Sequence, residues 1–210
     1  MSTVPPIKIT FIGETCVGKS SLVRRIVQGN YMENAGSTIG AAFCTLRYPD
    51  RKNGRLYHFW DTAGQERYGA LIPLYLSGSA VIVIVYDVTS RSSFDRIERY
   101  WIPFIRQNLR LREDDQMPMM FLIGNKCDVS SKREVLEVDG KHFADSNGMQ
   151  FMEASAKTGH NSLVLLEAIA AYADASVVQQ GNSVSGVTNG GTVTLVSNTV
   201  NYVRGCCSVL

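Results

Sequence analysis

The chain's 210 residues are 45% hydrophobic and 19% charged, enough for one well-cored domain with a tail and too little for several domains. Its 21 basic and 19 acidic residues leave a formal net charge of +2, which excludes a general electrostatic grip on nucleic acid. The longest apolar run, 80–86, is far short of the roughly 20 residues of a membrane-spanning helix, and with no secretory leader at the N-terminus the five cysteines point to a reducing, cytosolic setting.

The first strand is expected at 7–12, "IKITFI", where β-branched and aromatic residues cluster. It runs into "GETCVGKS", residues 13–20, and then into the helical pattern "SLVRRIVQG". Strand-like runs at 41–48 and 55–60 flank "PDRKNG", whose Gly54 suits a turn, so an antiparallel hairpin is expected at one edge of a sheet. Further strands follow at 80–86, 119–124 and 149–153, separated by helical spacing. Strands alternating with helices imply a mainly parallel sheet covered on both faces. Pro103 falls inside the helical segment 92–110 and must either sit in a first turn or kink it. Beyond Asp174, residues 175–203 contain no charge and are rich in Gly, Ser, Asn, Thr and Val, the composition of a flexible linker. The expected organisation is a domain over 1–174 and a tail over 175–210.

The chemistry is concentrated in a few motifs. G-x-x-x-x-G-K-S between a strand and a helix lets Gly13, Glu14, Thr15, Cys16, Val17 and Gly18 curl their backbone N–H groups around phosphates, and Ser21 extends the helix start. Lys19 is expected to reach the β and γ phosphates, and the Ser20 hydroxyl to meet Mg²⁺. "GNKCD", 124–128, follows the fifth strand at the carboxyl edge where open α/β sheets bind ligands. There Asp128 can accept from guanine N1 and N2, Asn125 can serve the other edge, and the Lys126 stem can lie along the ring. "SAK", Ser155, Ala156 and Lys157, adds a backbone N–H at Ala156 that can donate to guanine O6 and so reject adenine. The three histidines, His58, His142 and His160, have neither metal-ligand spacing nor a paired nucleophile.

"GETCVGKS", "STIG", "WDTAGQE", "NKCD" and "SAK" stand in the order and rough spacing of the Ras-like small GTPases, and residues 7 to about 174 resemble that superfamily. Within it the chain resembles Rab proteins, and "STIGAAF" with "WDTAGQERY" is most similar to the early-endosomal Rab group. The resemblance implies a P-loop NTPase G domain, a six-stranded, mostly parallel sheet with one antiparallel edge strand and helices on both faces. It implies a GTPase that binds GTP·Mg²⁺, hydrolyses it to GDP slowly unless an activating protein assists, and regulates vesicle or endosomal traffic. Thr38 is then a ligand of Mg²⁺ that also touches the γ-phosphate, Asp61 holds Mg²⁺, the Gly64 N–H meets the γ-phosphate, and Gln65 orients the attacking water. Tyr31 takes the family's aromatic position against the guanine face, and Phe43, Trp60 and Tyr75 match the aromatic triad that effectors read. Expected partners are an exchange factor, an activating protein, effectors, a GDP-dissociation inhibitor and a prenylation escort for a monomer that uses no nucleic acid. Two other readings are a Ras- or Rho-like signalling GTPase and a GTP-binding module that does not hydrolyse. The sequence departs from Ras at Thr15 and Cys16, where Ras has glycines, and 109–118 is longer than the family norm.

The chain ends in "VRGCCSVL", and Cys206 and Cys207 resemble the paired, prenylated cysteines of Rab tails. One lipid gives only marginal binding, and a second lipid or a polybasic patch is needed for stable anchoring. Between Asp174 and the terminus the only charge is Arg204, so both halves of the anchor are assigned to lipid on the two thiols. The expected location is the cytosolic face of endosomal or vesicle membranes, in exchange with the cytosol.

Overall fold

The computed structural model describes residues 5–33, 36, 38–49, 54–64, 70–109, 117–181 and 208–209. β1 (Ile7–Ile12), β2 (Ala41–Tyr48), β3 (Arg55–Thr62), β4 (Val81–Asp87), β5 (Met119–Asn125) and β6 (Gln150–Glu153) form one sheet in the order β6-β5-β4-β1-β3-β2. Every neighbouring pair is parallel except β2 with β3, the expected hairpin at the edge. A two-residue strand, β7 (Ser208–Val209), pairs antiparallel with β2 at Phe43 and Ala42.

β4 is buried along its whole length, and its two-residue period divides the interior. Val81, Val83 and Val85 pack with α1 (Lys19–Gln28) and α6 (Ser162–Gly181), through Leu22, Val23, Ile26, Leu166 and Ile169. Ile82, Ile84 and Tyr86 face the opposite layer, where α2 (Ile72–Leu76), α3 (Arg91–Arg96), α4 (Ile102–Asn108) and α5 (Glu137–Ser146) contribute Ile72, Phe94, Ile105 and Ala144. A continuous apolar strand rather than an alternating one is what a doubly covered sheet requires.

Pro103 is accommodated by a change of helix type. Between α3 and α4 the backbone takes a π turn over Ile97–Trp101, closed by the Ile102 N–H on the Ile97 carbonyl. Pro103 then falls in the first turn of α4, where its fixed φ suits the helix. α6 runs seven residues past Asp174, so the domain boundary expected there lies inside a helix. "ASVVQQG" holds no Gly or Pro before its last residue, and nothing in it stops a helix begun on the packed residues upstream. Among the described residues, no helix is long and apolar enough to cross a membrane.

Candidate functional site

The carboxyl ends of the parallel strands converge on one rim, and the loops leaving them enclose two adjoining cavities. The larger, of about 270 Å³, is lined by Lys19, Ser20, Thr38 and Gly64 among others. β1 delivers the chain to Gly13, and the loop turns into α1 at Gly18, whose φ of 93° and whose contact with Asn125 exclude a side chain. A Cβ there would lie 2.3 Å from Asn125 Nδ2. Lys19 is 5% exposed, and its Nζ donates to the Gly13 and Glu14 carbonyls at 2.9 and 2.8 Å. Burial lowers its ammonium to about 8, against the opposing pull of the Asp61 and Glu14 carboxylates.

Ser20 and Thr38, eighteen positions apart, meet with their hydroxyl oxygens 2.8 Å from each other. Asp61, at the end of β3, is 3% exposed, and its Oδ1 has no hydrogen-bond partner among the described residues. Burial raises its carboxyl, while the Ser20 hydroxyl, the Lys19 charge and Thr38 hold it down. A buried carboxylate oxygen left unpaired is costly. Two hydroxyls and a carboxylate are the hard oxygen donors Mg²⁺ takes, and such an ion would satisfy the orphaned oxygen. Gly64 lies hard against the phosphate loop: a Cβ on it would come within 2.5 Å of the Glu14 carbonyl and the Thr15 nitrogen. Cys16 is exposed with a φ of 63°, and Val17 is buried.

The second cavity, of about 200 Å³, shares Gly18, Ser21, Tyr31 and Lys126 with the first and adds Asn125, Asp128, Ala156 and Lys157. Asn125, 1% exposed, is a brace as much as a wall: its Nδ2 donates to the Val17 carbonyl at 2.8 Å and its Oδ1 accepts from the Ala156 N–H at 3.2 Å. The fully buried Ser155 donates to Asp128 Oδ1 at 2.6 Å, fixing the carboxylate so that its other oxygen remains for a ligand. Lys126 ties its ammonium to Asp87 Oδ2 at 2.6 Å, leaving its stem along the cavity, and Asp87 is itself fixed by the Thr89 N–H and hydroxyl. Lys157 pairs with Glu33 at 3.3 Å. Sequence reasoning missed three of these supports. Asp87 is one, Arg96 with its Nε on Glu14 Oε1 at 3.0 Å is another, and Arg25, bonded to the "SAK" backbone, is the third.

The Ras family model matches residues 8–174. Ras-related protein Rab-31 of Mus musculus is 36% identical over 207 residues, 99% of this chain and all of that protein. Ras-related protein Rab-5A of Dictyostelium discoideum is 40% identical, and Ras-related protein Rab5 of Nicotiana tabacum 42%, each over 154 residues that cover 73% of this chain and 74% of the relative. The chain is a Rab GTPase of the Ras family. As such it binds GTP and GDP, hydrolyses GTP and regulates membrane traffic, which sets aside the readings as a Ras- or Rho-like signalling protein and as a non-hydrolysing module.

In this Rab the three aromatic residues form one contiguous surface strip. The Phe43 and Trp60 rings lie 5.0 Å apart across the β2–β3 pair, and Tyr75 of α2 continues the row 5.6 Å from Trp60. All three are half-buried, flanked by the exposed Leu71 and Leu74. His58 packs edge-on against Phe43, an ordinary strand residue. Gln65, Cys206, Cys207 and most of the long segment 109–118 lie outside the described residues.

Proposed function

We propose that this Rab holds GTP and Mg²⁺ across the two cavities and works as a membrane-anchored switch with a domain over 1–174 and a lipid-bearing tail over 175–210. The reading rests above all on one convergence: the Ser20 and Thr38 hydroxyls 2.8 Å apart, with the unpartnered Asp61 oxygen and the buried Lys19 in the same pocket. Ser20, Thr38 and Asp61 would hold Mg²⁺, which when bound supplies positive charge to the β and γ phosphates. Residues 13–18 give the phosphates their backbone N–H groups, and Lys19 gives them its charge. Gly64 donates to the γ-phosphate, and Gln65 orients the water that attacks it. On the base side Asp128, held by Ser155, accepts from guanine N1 and N2, the Ala156 N–H exchanges its bond to Asn125 Oδ1 for one to O6, and Tyr31 and the Lys126 stem cover the ring faces, with Lys157 closing the rim.

Because Thr38 and Gly64 lie on segments that a γ-phosphate would pull inward, hydrolysis releases both. The partners that follow from such a switch are an exchange factor, an activating protein worth roughly 10³–10⁵-fold in rate, effectors that read Phe43, Trp60 and Tyr75, a GDP-dissociation inhibitor and a prenylation escort. Lipid on Cys206 and Cys207 would hold the chain on the cytosolic face of endosomal membranes, early ones by likeness to the Rab5 relatives. The test is to image a tagged chain carrying Gln65→Leu against organelle markers. The expected result is enlarged or clustered endosomes, lost when Cys206 and Cys207 are both changed to Ser. A diffuse cytosolic signal from the Gln65→Leu chain contradicts the membrane role.

A further inference from the structure

We propose that Arg25 is the positioning residue for base recognition, holding the O6-reading loop against the phosphate-binding helix. Arg25 lies in the last turn of α1, and its guanidinium reaches backbone on two separate segments. Nε donates to the Ala156 carbonyl at 2.8 Å, Nη2 to the Lys157 carbonyl at 2.6 Å and Nη1 to the Gly29 carbonyl at 2.8 Å. The first two acceptors are 131 and 132 positions away in the chain. Gly29 caps α1, so its carbonyl is one of the orphans a helix end leaves, and a cation there is favoured by the helix dipole. Two positions further on is Tyr31, a wall shared by both cavities.

The planar fork matters more than the charge. Three carbonyls in different directions need donors fixed in a plane, and a lysine ammonium on a flexible stem cannot meet all three. On the other side the Ala156 N–H donates to Asn125 Oδ1, a bond it would exchange for guanine O6, and the Arg25 stem runs beside Gly159, whose φ of 86° turns the loop back. Arg25 therefore holds the peptide group on one side of the Ala156 Cα while the N–H on the other side passes from Asn125 to the base. Without the arginine, the Ala156–Lys157 peptide has lost its anchor, and the neighbouring N–H no longer points at one spot. Bonds to a charged donor are the stronger kind, so the loop depends on them more than on ordinary turn bonds.

This inference rests on the reading of the Ala156 N–H as the donor to guanine O6, and the experiment separates the two. The full chain is loaded with fluorescent ribose-labelled GDP or 6-thio-GDP, which differs from GDP at the O6 position alone, and release is followed after adding excess unlabelled GDP. The wild-type chain is expected to release 6-thio-GDP roughly 3–10-fold faster than GDP, the worth of one neutral hydrogen bond. Arg25→Ala is expected to release GDP on the order of tenfold faster than wild type and to bring the two release rates together. Arg25→Lys, which keeps charge and stem and carries the test if the alanine chain does not fold, is expected to fall between them. A wild-type ratio near one removes the reading of Ala156. A wild-type preference that the Arg25 variants leave intact, whether or not release is faster overall, overturns the inference alone.

Discussion

Single side chains here are held in costly states that only a ligand or a neighbour relieves. Lys19 is a buried ammonium and Asp61 a buried carboxylate with one oxygen unpartnered, an arrangement that is poor for stability and suited to charge arriving from outside. If Asp61 contributes to the Mg²⁺ site, stripping the ion with excess EDTA accelerates GDP release from the wild-type chain. The same treatment has a several-fold smaller effect on Asp61→Ala, whose release in Mg²⁺ is already fast. Release kinetics with and without chelator check this, and an unchanged EDTA effect in the variant contradicts it. Lys126 has a φ of 66°, a conformation a non-glycine residue adopts at some cost, and its bond to Asp87 fixes it there. The residues that line the two cavities were legible in the sequence because such backbone positions leave few residue choices. Arg25, Arg96 and Asp87 were not, since each works through a partner far off in the chain and carries no local pattern.

At the level of elements, β4 and α5 meet in a junction that a single methyl group would disturb. Gly140 sits in α5 where a Cβ would lie 2.5 Å from the Tyr86 hydroxyl and 2.6 Å from the Phe151 ring. Helix propensity alone favours alanine by about 1 kcal/mol, whereas overpacking costs typically about 1–3 kcal/mol. Packing prevails, so Gly140→Ala is expected to lower the urea midpoint. Tyr86 is fully buried, its hydroxyl has no partner among the described residues, and burial pushes that hydroxyl's pKa well up. Tyr86→Phe alone is therefore expected to be neutral or stabilising by up to about 1 kcal/mol, and in combination to recover part of the Gly140→Ala loss. A double-mutant cycle with no coupling contradicts this account of the junction. Strand boundaries followed the β-branched runs closely, β1 and β2 at the expected residues. β3 runs on through Asp61 and Thr62, where pairing continues after the apolar pattern stops. Pro103 announced that the helix must yield, yet its spacing held no sign that a π turn would absorb it.

Across the whole molecule, the sheet forms a rim whose loops converge on the two cavities, and the linkage runs through side chains that cross between loops. Asn125 joins the base loop to the phosphate loop, Ser155 joins "SAK" to Asp128, and Ser20 meets Thr38. A nucleotide bound across both cavities therefore stabilises the loops together, as any ligand of the native state does. The composition changes after Asp174, but the extent of the helix that crosses this point was not legible, because side-chain chemistry changes seven residues before the helix stops. The most direct test is single-turnover hydrolysis of [γ-³²P]GTP bound to the full chain in Mg²⁺, with ATP as competitor and Gln65→Leu alongside. The expected result is slow phosphate release, faster with an activating protein, lost in Gln65→Leu, with ATP unable to displace the bound nucleotide. ATP displacing GTP at comparable concentration, or hydrolysis that Gln65→Leu leaves intact, would contradict the assignment of the site.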